Sequence, residues 1–182
     1  MKLFKIPEFL SVEECDVIYN RILETEEFVK SLGEDIHNGT AENSLTGRHW
    51  CHNYLYDKVI ADILLPKFRV VLGRKRYIQC WANTFRKGEG IARHRHRDPT
   101  APGAPPVDWT CTNLFIGGDP GLGTWFEGEK HENKRGELML FPSSLHHWVP
   151  PNNTDKLRIS MAADVHYTRP PGYNKNQYYD LT

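Results

Sequence analysis

The stretch Tyr77-Ile-Gln-Cys-Trp-Ala-Asn-Thr-Phe85 alternates in character from one residue to the next, as a β-strand with two different faces does. The odd-numbered side chains are amides and aromatic rings, which suit the lining of a pocket. The even-numbered side chains are small or apolar: Ile78, Cys80, Ala82 and Thr84. We therefore expect the even-numbered face to pack on other elements and the odd-numbered face to line a pocket.

Two helical segments are expected before this strand. Ser11-Val-Glu-Glu14 has the pattern of a capping box and predicts a helix that runs to about Lys30. Apolar residues repeat at helical spacing from Leu55 to Leu64 and predict a second helix. Pro66 should break or kink that helix, and Gly73 should close the segment.

Short strands separated by glycine and proline are expected after Phe85. They are Thr110–Ile116, Gly123–Phe126, Glu137–Phe141, Leu145–Val149 and Leu157–Asp164. The composition of residues 33–53 and 99–108 predicts loops. Two helices followed by many short strands indicate an α+β fold whose main part is a sandwich or a barrel.

Length and composition are those of one globular domain, with 182 residues, 39% of them hydrophobic and 25% charged. We expect a helical N-terminal support over residues 1–75, a strand-rich core that carries the site over residues 76–168, and a tail over residues 169–182. The formal net charge is zero, which argues against nucleic acid or a membrane surface as a partner. The four cysteines form no CxxC pair and no apolar leader is visible, so a cytoplasmic location is expected.

The stretch Arg93-His-Arg-His-Arg-Asp98 carries the strongest chemical signal. If it is extended, His94, His96 and Asp98 point to one side and the arginines to the other. Two imidazoles, or one imidazole and a carboxylate, can then reach the same metal ion, as in a non-heme Fe(II) centre. The alternative is a charged strand end whose histidines face solvent.

Two later stretches add to this signal. In Phe141-Pro-Ser-Ser-Leu-His-His-Trp-Val-Pro150 one histidine of the adjacent pair would face inward and supply a third ligand. In Leu157-Arg-Ile-Ser-Met-Ala-Ala163 the apolar residues share one face, while Arg158 and Ser160 share the other. A buried arginine requires an anionic partner, and its planar fork suits a carboxylate. An outward-facing arginine on a half-exposed strand is the alternative.

The order of these stretches resembles the 2-oxoglutarate/Fe(II) dioxygenase superfamily over about residues 81–164. Asn83-Thr-Phe85, Gly88-Glu-Gly-Ile91 and His94-x-His96 resemble its oxidative demethylase branch, and Gly123-Thr-Trp-Phe126 resembles its prolyl-hydroxylase-like members. Taken together with Phe141-Pro-Ser-x-Leu-x-His147, the motifs are most similar to an uncharacterised 2OG-Fe(II) oxygenase group of that superfamily.

The resemblance implies a double-stranded β-helix (jelly-roll or cupin-like) core, with the N-terminal helices packed on one sheet. It places His94, His96 and His147 at the metal, or His96 and Asp98 in a register shifted by two residues, with Asp98 as the alternative to His94. Arg158 would hold the C5 carboxylate of 2-oxoglutarate with help from Ser160. Asn83 would lie near the other end of that cosubstrate.

The same resemblance implies an oxygenase that uses Fe(II), 2-oxoglutarate and O2, with ascorbate as an optional reductant. It would hydroxylate a prolyl-type protein side chain or a small molecule and release succinate and CO2. The main alternative is a cupin-like metal-binding protein with a three-histidine site and no 2-oxoglutarate chemistry. A nucleic-acid demethylase and a binding module whose histidines are structural are further alternatives.

Overall fold

A computed structural model describes residues 3–32, 52–100, 102, 109–121, 123–170, 175 and 177–182. The loops expected over residues 33–53 and 99–108 lie for the most part outside these described residues. No helix within the described ranges combines the length and the apolar character needed to cross a membrane.

The described ranges contain two α-helices, α1 (Val12–Ser31) and α2 (Lys58–Leu72). The predicted capping box begins α1: the Glu14 amide donates to Ser11 Oγ, and the Ser11 amide donates to Glu14 Oε2. Gly73 follows α2 with a φ of 75°, as its place after the apolar repeat predicts.

Helix α2 continues through Pro66 instead of breaking there. The residues on either side, Leu64, Leu65 and Phe68, are buried in the main core. Their packing offsets the hydrogen bond that proline removes, a loss of about 3 kcal/mol in a helix interior. Of the break or kink predicted at Pro66, the break was wrong because tertiary packing outweighs local propensity at this position.

Ten strands form two antiparallel sheets within the described residues. Their bounds are β1 (Phe4–Ile6), β2 (Tyr77–Phe85), β3 (Ile91–His94), β4 (Thr110–Gly117), β5 (Thr124–Phe126), β6 (Glu129–His131), β7 (Leu138–Pro142), β8 (His147–Val149), β9 (Arg158–His166) and β10 (Tyr179–Asp180). The larger sheet has the order β1-β7-β4-β9-β2-β10, and the smaller sheet has the order β3-β8-β5-β6. Two helices with two antiparallel sheets confirm the predicted α+β class.

Strand β9 lies between β2 and β4 in the larger sheet, and its two faces serve different purposes. Its odd-numbered side chains, from Ile159 to Val165, join the core that also contains Ile18 and Ile22 of α1 and Phe68 of α2. The even-numbered face of β2 joins the same core through Ile78, Cys80 and Ala82. The helices therefore pack on one sheet, and the opposite face of that sheet looks toward the smaller sheet.

The buried Asn53 side chain connects three parts of the chain. Its amide nitrogen donates to the carbonyls of Ile78 (2.7 Å) and Gln177 (2.9 Å), and its oxygen accepts from the amides of Leu55 (3.0 Å) and Cys80 (3.2 Å). These bonds link strand β2 to the segment before α2 and to the C-terminal segment. Asn53 therefore adds to the pairing with β9 in holding β2, and hence its pocket-facing residues, in position.

We expect Asn53→Ala to lower the free energy of unfolding by about 3 kcal/mol, because it leaves several buried backbone groups without partners. Denaturant unfolding monitored by circular dichroism measures the change. The same substitution at the exposed Asn153 is the matched control and should stay within about 0.5 kcal/mol. Equal losses in the two variants would contradict this role for Asn53.

Candidate active site

Three histidines meet between the two sheets. His94 ends β3, His147 begins β8, and the two residues are cross-strand partners whose ring centroids lie 4.2 Å apart. His96 follows β3 in an irregular segment, held where its own amide and that of Arg97 donate to the Ser143 carbonyl, both at 2.9 Å. One ligand atom from each of the three histidines lies within 4.8 Å of the others. The three rings can therefore bind one metal ion together.

Hydrogen bonds fix which ring nitrogen can reach a metal. Nδ1 of His94 lies 2.9 Å from the Ala92 carbonyl, and Nδ1 of His147 lies 2.9 Å from the Leu145 carbonyl. Because a carbonyl only accepts, Nδ1 must carry the proton in each ring. Each ring then presents Nε2 as the nitrogen that can bind a metal, which is the usual arrangement of metal-binding histidines.

The ring of His96 is held by a carboxylate. Its Nδ1 lies 2.6 Å from Asp164 Oδ1, and its ring stacks on that of Trp81 at 5.8 Å. The same Asp164 oxygen accepts from Cys111 Sγ at 3.0 Å. His96, Cys111 and Asp164 therefore form a second close group of potential ligands that shares His96 with the first group.

Asp98 lies outside both groups of potential ligands found among the described residues. The chain leaves β3 after His94, so the strict alternation that would turn Asp98 inward does not continue. The exposed carboxylate accepts from the Thr100 amide (2.9 Å) and hydroxyl (2.6 Å) and pairs with Arg95. These hydrogen bonds lower the pKa of Asp98 to about 2. The structure thus brings together His94, His96 and His147 and holds Asp98 at the surface.

Arg158 is fully buried on the face of β9 that looks toward the smaller sheet. Its guanidinium lies 4.7 Å above the Phe85 ring, and Nη2 donates to Thr124 Oγ1 at 3.4 Å. The Asn133 amide, oriented with its oxygen toward the guanidinium, accepts from Nε and Nη2 at 3.2 Å each. Nη1 has no hydrogen-bond partner within the described part of the chain. Burial lowers the pKa of Arg158 to about 10.

The guanidinium has only neutral acceptors around it. No carboxylate of the described residues lies within 4.0 Å of Arg158, although the other buried ionic groups mostly have partners. An uncompensated buried charge costs several kcal/mol. An anion bound beside Arg158 would offset this cost.

Strand β5 connects the guanidinium to the histidines. Thr124 accepts from Arg158, and Phe126, two residues along the same face of β5, stacks on His147 at 5.9 Å. Two residues along a strand span about 7 Å. A small molecule with an anionic end and a metal-binding end could therefore contact both groups.

Asn83 and Ser160 lie on the same sheet face as Arg158. They are cross-strand partners, two residue pairs along from the pair formed by Phe85 and Arg158. Both side chains are buried. The predicted shared face of Arg158 and Ser160 is thus confirmed, and the pairing of β2 with β9 adds Asn83 to it.

Sequence reasoning missed three polar residues of this site. Asp164 shares the even-numbered face of β9 with Arg158 and Ser160, so the same alternation could have indicated it. Thr124 lies within the Gly123-Thr-Trp-Phe126 motif, which signalled the strand but not the contact with arginine. Asn133 follows β6 in an irregular segment, and nothing in the local sequence marks it.

Burial lowers the pKa of the His147 ring well below its usual value, and the nearby His94 and His96 rings add to that effect. Burial also opposes protonation of His96, but the Asp164 carboxylate outweighs it and raises the pKa of that ring. His147 is therefore neutral and ready to bind a metal near neutral pH.

The low pKa of His147 predicts how the stability of the metal-free protein depends on pH. The unfolded His147 ring titrates near 6.5. The contribution of the neutral, buried ring to the free energy of unfolding is therefore present above that pH and is lost as the pH falls below it. For this one group the loss approaches about 1.4 kcal/mol per pH unit. We expect the free energy of unfolding to fall less between pH 7 and pH 5 in His147→Gln than in the wild type, because the variant lacks this ring. His96, whose effect has the opposite sign, remains in both proteins and does not account for the difference. Denaturant unfolding in a chelator checks this, and parallel curves would contradict it.

Comparison with known proteins gives both a family pattern and a fold. Residues 124–164 match the model of the family described as "Putative 2OG-Fe(II) oxygenase". These residues include His147, Arg158, Ser160 and Asp164. A search of curated proteins finds no match.

Solved structures share the fold at low sequence identity. A viral collagen prolyl hydroxylase from Paramecium Bursaria Chlorella virus-1, solved as a 2OG complex, is 19% identical with a TM-score of 0.64, covering 92% of this chain and 97% of its own. A prolyl-4-hydroxylase from Pseudomonas putida is 14% identical with a TM-score of 0.56, covering 91% and 92%. HygX from Streptomyces hygroscopicus, solved with nickel, 2-oxoglutarate and hygromycin B, is 11% identical with a TM-score of 0.58, covering 91% and 83%.

These likenesses confirm the predicted jelly-roll core with N-terminal helices on one sheet. The family pattern lies in the part of the chain that carries His147 and Arg158. Residues 124–164 thus carry the pattern of the family described as "Putative 2OG-Fe(II) oxygenase", and the chain shares the fold of the solved prolyl hydroxylases.

Proposed function

We propose that this protein is a dioxygenase that uses Fe(II) and 2-oxoglutarate to hydroxylate a substrate. The observation that carries the proposal is the buried guanidinium of Arg158, which has neutral acceptors, an unpartnered Nη1 and no carboxylate within reach among the described residues. A dicarboxylate bound with one end at Arg158 would supply the missing anion. Its other end would face the three histidines.

The residues of this chain fit both groups. His94, His96 and His147 would hold the metal through nitrogen atoms, which suit iron among other transition metals. Three protein ligands leave coordination positions for a 2-oxo acid and for O2. When bound, Fe(II) with 2-oxoglutarate and O2 supplies the oxidation that hydroxylates a C–H bond, with release of succinate and CO2.

The chain's own part in the reaction is binding, orientation and exclusion of water. Arg158 would bind the C5 carboxylate through its planar fork, since Nη1 lacks a partner in the described part of the chain. Phe85 and Phe115 lie beside the guanidinium, at 4.7 and 5.9 Å from ring centroid to Cζ, and keep the carboxylate end dry. Asn83 and Ser160 supply polar groups on the same sheet face. Ion pairing of this kind is stronger in a dry site than in water.

The substrate would be a prolyl-type side chain or a small molecule. Prolyl hydroxylases occur among the solved neighbours, and so does a protein solved with hygromycin B. The arginines near the histidines offer little support for a nucleic acid, because Arg93 lies 3.6 Å from Glu127 and Arg95 pairs with Asp98. A panel of peptidyl-proline and small-molecule substrates would distinguish the two substrate classes.

A second candidate is a cupin-like metal protein with three histidines and no 2-oxoglutarate chemistry. The observation in its favour is that all three potential ligands at the first site are neutral imidazoles. This alternative gives no role to Arg158, which has no anionic partner among the described residues. It predicts metal binding that is indifferent to 2-oxoglutarate.

Succinate formation is the direct test of the proposed activity. Purified protein with Fe(II), ascorbate and air should convert 2-oxoglutarate to succinate, slowly without the substrate and faster with it. We expect Arg158→Met to weaken 2-oxoglutarate binding by about 100-fold or more, because truncating one partner of a buried charge pair costs about 3 kcal/mol or more. His147→Ala should abolish turnover, and the exposed Arg74→Met is the matched control. Turnover that survives both site variants would refute the proposal.

The unbalanced charge of Arg158 also predicts an unusual effect on stability. In the absence of ligand, Arg158→Met should change the melting temperature little or raise it, because it removes a buried charge that has no counter-ion among the described residues. The metal-loaded wild-type protein should gain stability when 2-oxoglutarate is added, and the variant should not. Thermal unfolding with and without the cosubstrate measures both effects. A large loss of stability in the ligand-free variant would show that the guanidinium already has its partner in the protein.

A further inference from the structure

Asp164 is a buried carboxylate for which the proposed chemistry gives no role so far. It lies on the pocket-facing side of β9, opposite Gln79 on β2 and Cys111 on β4. Its Oδ1 lies 2.6 Å from His96 Nδ1 and accepts from Cys111 Sγ at 3.0 Å. A buried carboxylate is costly unless it is paired and hydrogen-bonded, and His96 and Cys111 are partners of this one.

The contact fixes the orientation of His96. When Nδ1 donates to the carboxylate, Nε2 becomes the nitrogen that can bind the metal, as it does in His94 and His147 through their carbonyl partners. His96 differs from the other two because it lies on an irregular segment after β3 rather than on a paired strand. A hydrogen-bond partner from another element of the chain, here Asp164 on β9, therefore helps to hold its ring.

The contact also places a negative charge beside a site that lacks one. Non-heme Fe(II) centres of this kind use two histidines and one carboxylate, whereas the first site here offers three neutral rings. A divalent metal and the Arg158 guanidinium would together be balanced by a dicarboxylate and Asp164. Without Asp164 the enclosed site would keep an excess positive charge.

We propose, on the basis of the proposed function, that Asp164 is the positioning residue of the metal centre. It orients His96 and supplies through that ring the negative charge that a directly bound carboxylate would otherwise give. The carboxylate of Asp164 would thus act on the metal through the His96 ring instead of binding the metal directly. Partners of this kind contribute 10–100-fold to metal affinity in other sites, roughly, and they raise the basicity of the ring they contact.

A cobalt titration tests this role with a readout that does not depend on turnover. Metal-free protein is titrated with Co(II) in competition with a chelator, and the visible ligand-field spectrum is recorded. We expect Asp164→Asn, which keeps the shape and an acceptor oxygen, to weaken Co(II) binding by about 10–100-fold while the spectrum keeps its form. Asp164→Glu, which keeps the charge, should recover part of the affinity. The iron-loaded Asp164→Asn variant should also have a higher Fe(III)/Fe(II) potential, because a negative charge favours Fe(III).

Glu26→Gln is the matched control, because Glu26 is also a buried carboxylate in a close pair. Its oxygens lie 2.9 and 2.8 Å from the guanidinium nitrogens of Arg86, away from the three histidines. We expect it to change stability and to leave Co(II) affinity within about twofold. A loss of affinity equal to that of Asp164→Asn would show only a general effect of removing buried charge and would overturn the proposal.

Two further results would overturn it. The first is Co(II) affinity of Asp164→Asn within twofold of the wild type. The second is a thiolate-to-cobalt charge-transfer band that disappears in Cys111→Ser, which would place the metal at His96, Cys111 and Asp164. If wild-type protein binds no Co(II), the proposed function fails as well; if it binds and Asp164→Asn is unchanged, only the role of Asp164 fails.

A measurement on the wild-type protein covers the case in which the Asp164 variants do not fold. Nitrogen-15 spectra of histidine-labelled, Zn(II)-loaded protein report which nitrogen of each ring carries the proton. We expect His96 to be protonated on Nδ1 and metal-bound through Nε2. Metal binding through Nδ1 of His96 would exclude the contact with Asp164 and overturn the proposal.

Discussion

A guanidinium enclosed between two β-sheets is the constraint on which the rest of this structure depends. Arg158 is fully buried, and its described neighbours offer only neutral oxygen atoms and aromatic rings. Removing such a charge from water costs several kcal/mol unless an anion accompanies it. The protein therefore keeps, next to three convergent histidines, a position whose electrostatics favour a carboxylate. The uncompensated charge lowers the stability of the ligand-free protein, and a bound carboxylate would offset that charge.

Strand β9 makes this arrangement possible because its two faces contact different parts of the protein. The odd-numbered residues pack on α1 and α2 in the largest apolar core, which fixes the strand. The even-numbered residues then present Arg158, Ser160 and Asp164 toward the smaller sheet. In the proposed function, one strand thus supplies both the cation that would bind the cosubstrate and the carboxylate that would orient a metal-binding histidine. Their relative positions cannot change without disturbing the helix-packed core.

The residue alternation of β2 and β9 was sufficient to predict much of the fold and part of the site. The two-residue alternation of side chains correctly assigned Ile78 to the helix-packed face of β2 and Arg158 to the opposite face of the sheet. Burial of one face leaves a strand only one possible register. The capping box at Ser11 is equally local, and it was also predictable. Pro66 was misjudged because the packing of its neighbours is a tertiary effect.

The position of Asp98 and the role of Asp164 could not be predicted for a different reason. The turn after His94 depends on the Ser143 carbonyl, which accepts two amide hydrogen bonds from a distant part of the chain. The contact between His96 and Asp164 joins residues that are 68 positions apart. Local pattern gives the face on which a side chain lies, but not the partner that it meets across the sheets.

The central claim is that one site holds both a metal at the histidines and 2-oxoglutarate at Arg158. The most direct measurement is the visible absorption spectrum of the Fe(II)-loaded protein under anaerobic conditions, before and after addition of 2-oxoglutarate. A 2-oxo acid that coordinates Fe(II) through its oxo and carboxylate oxygens gives a charge-transfer band, whereas glutarate, which lacks the oxo group, does not. The structure predicts a band with 2-oxoglutarate, none with glutarate, and a much weaker affinity in Arg158→Met. Fe(II) binding without any band at saturating 2-oxoglutarate would contradict the account.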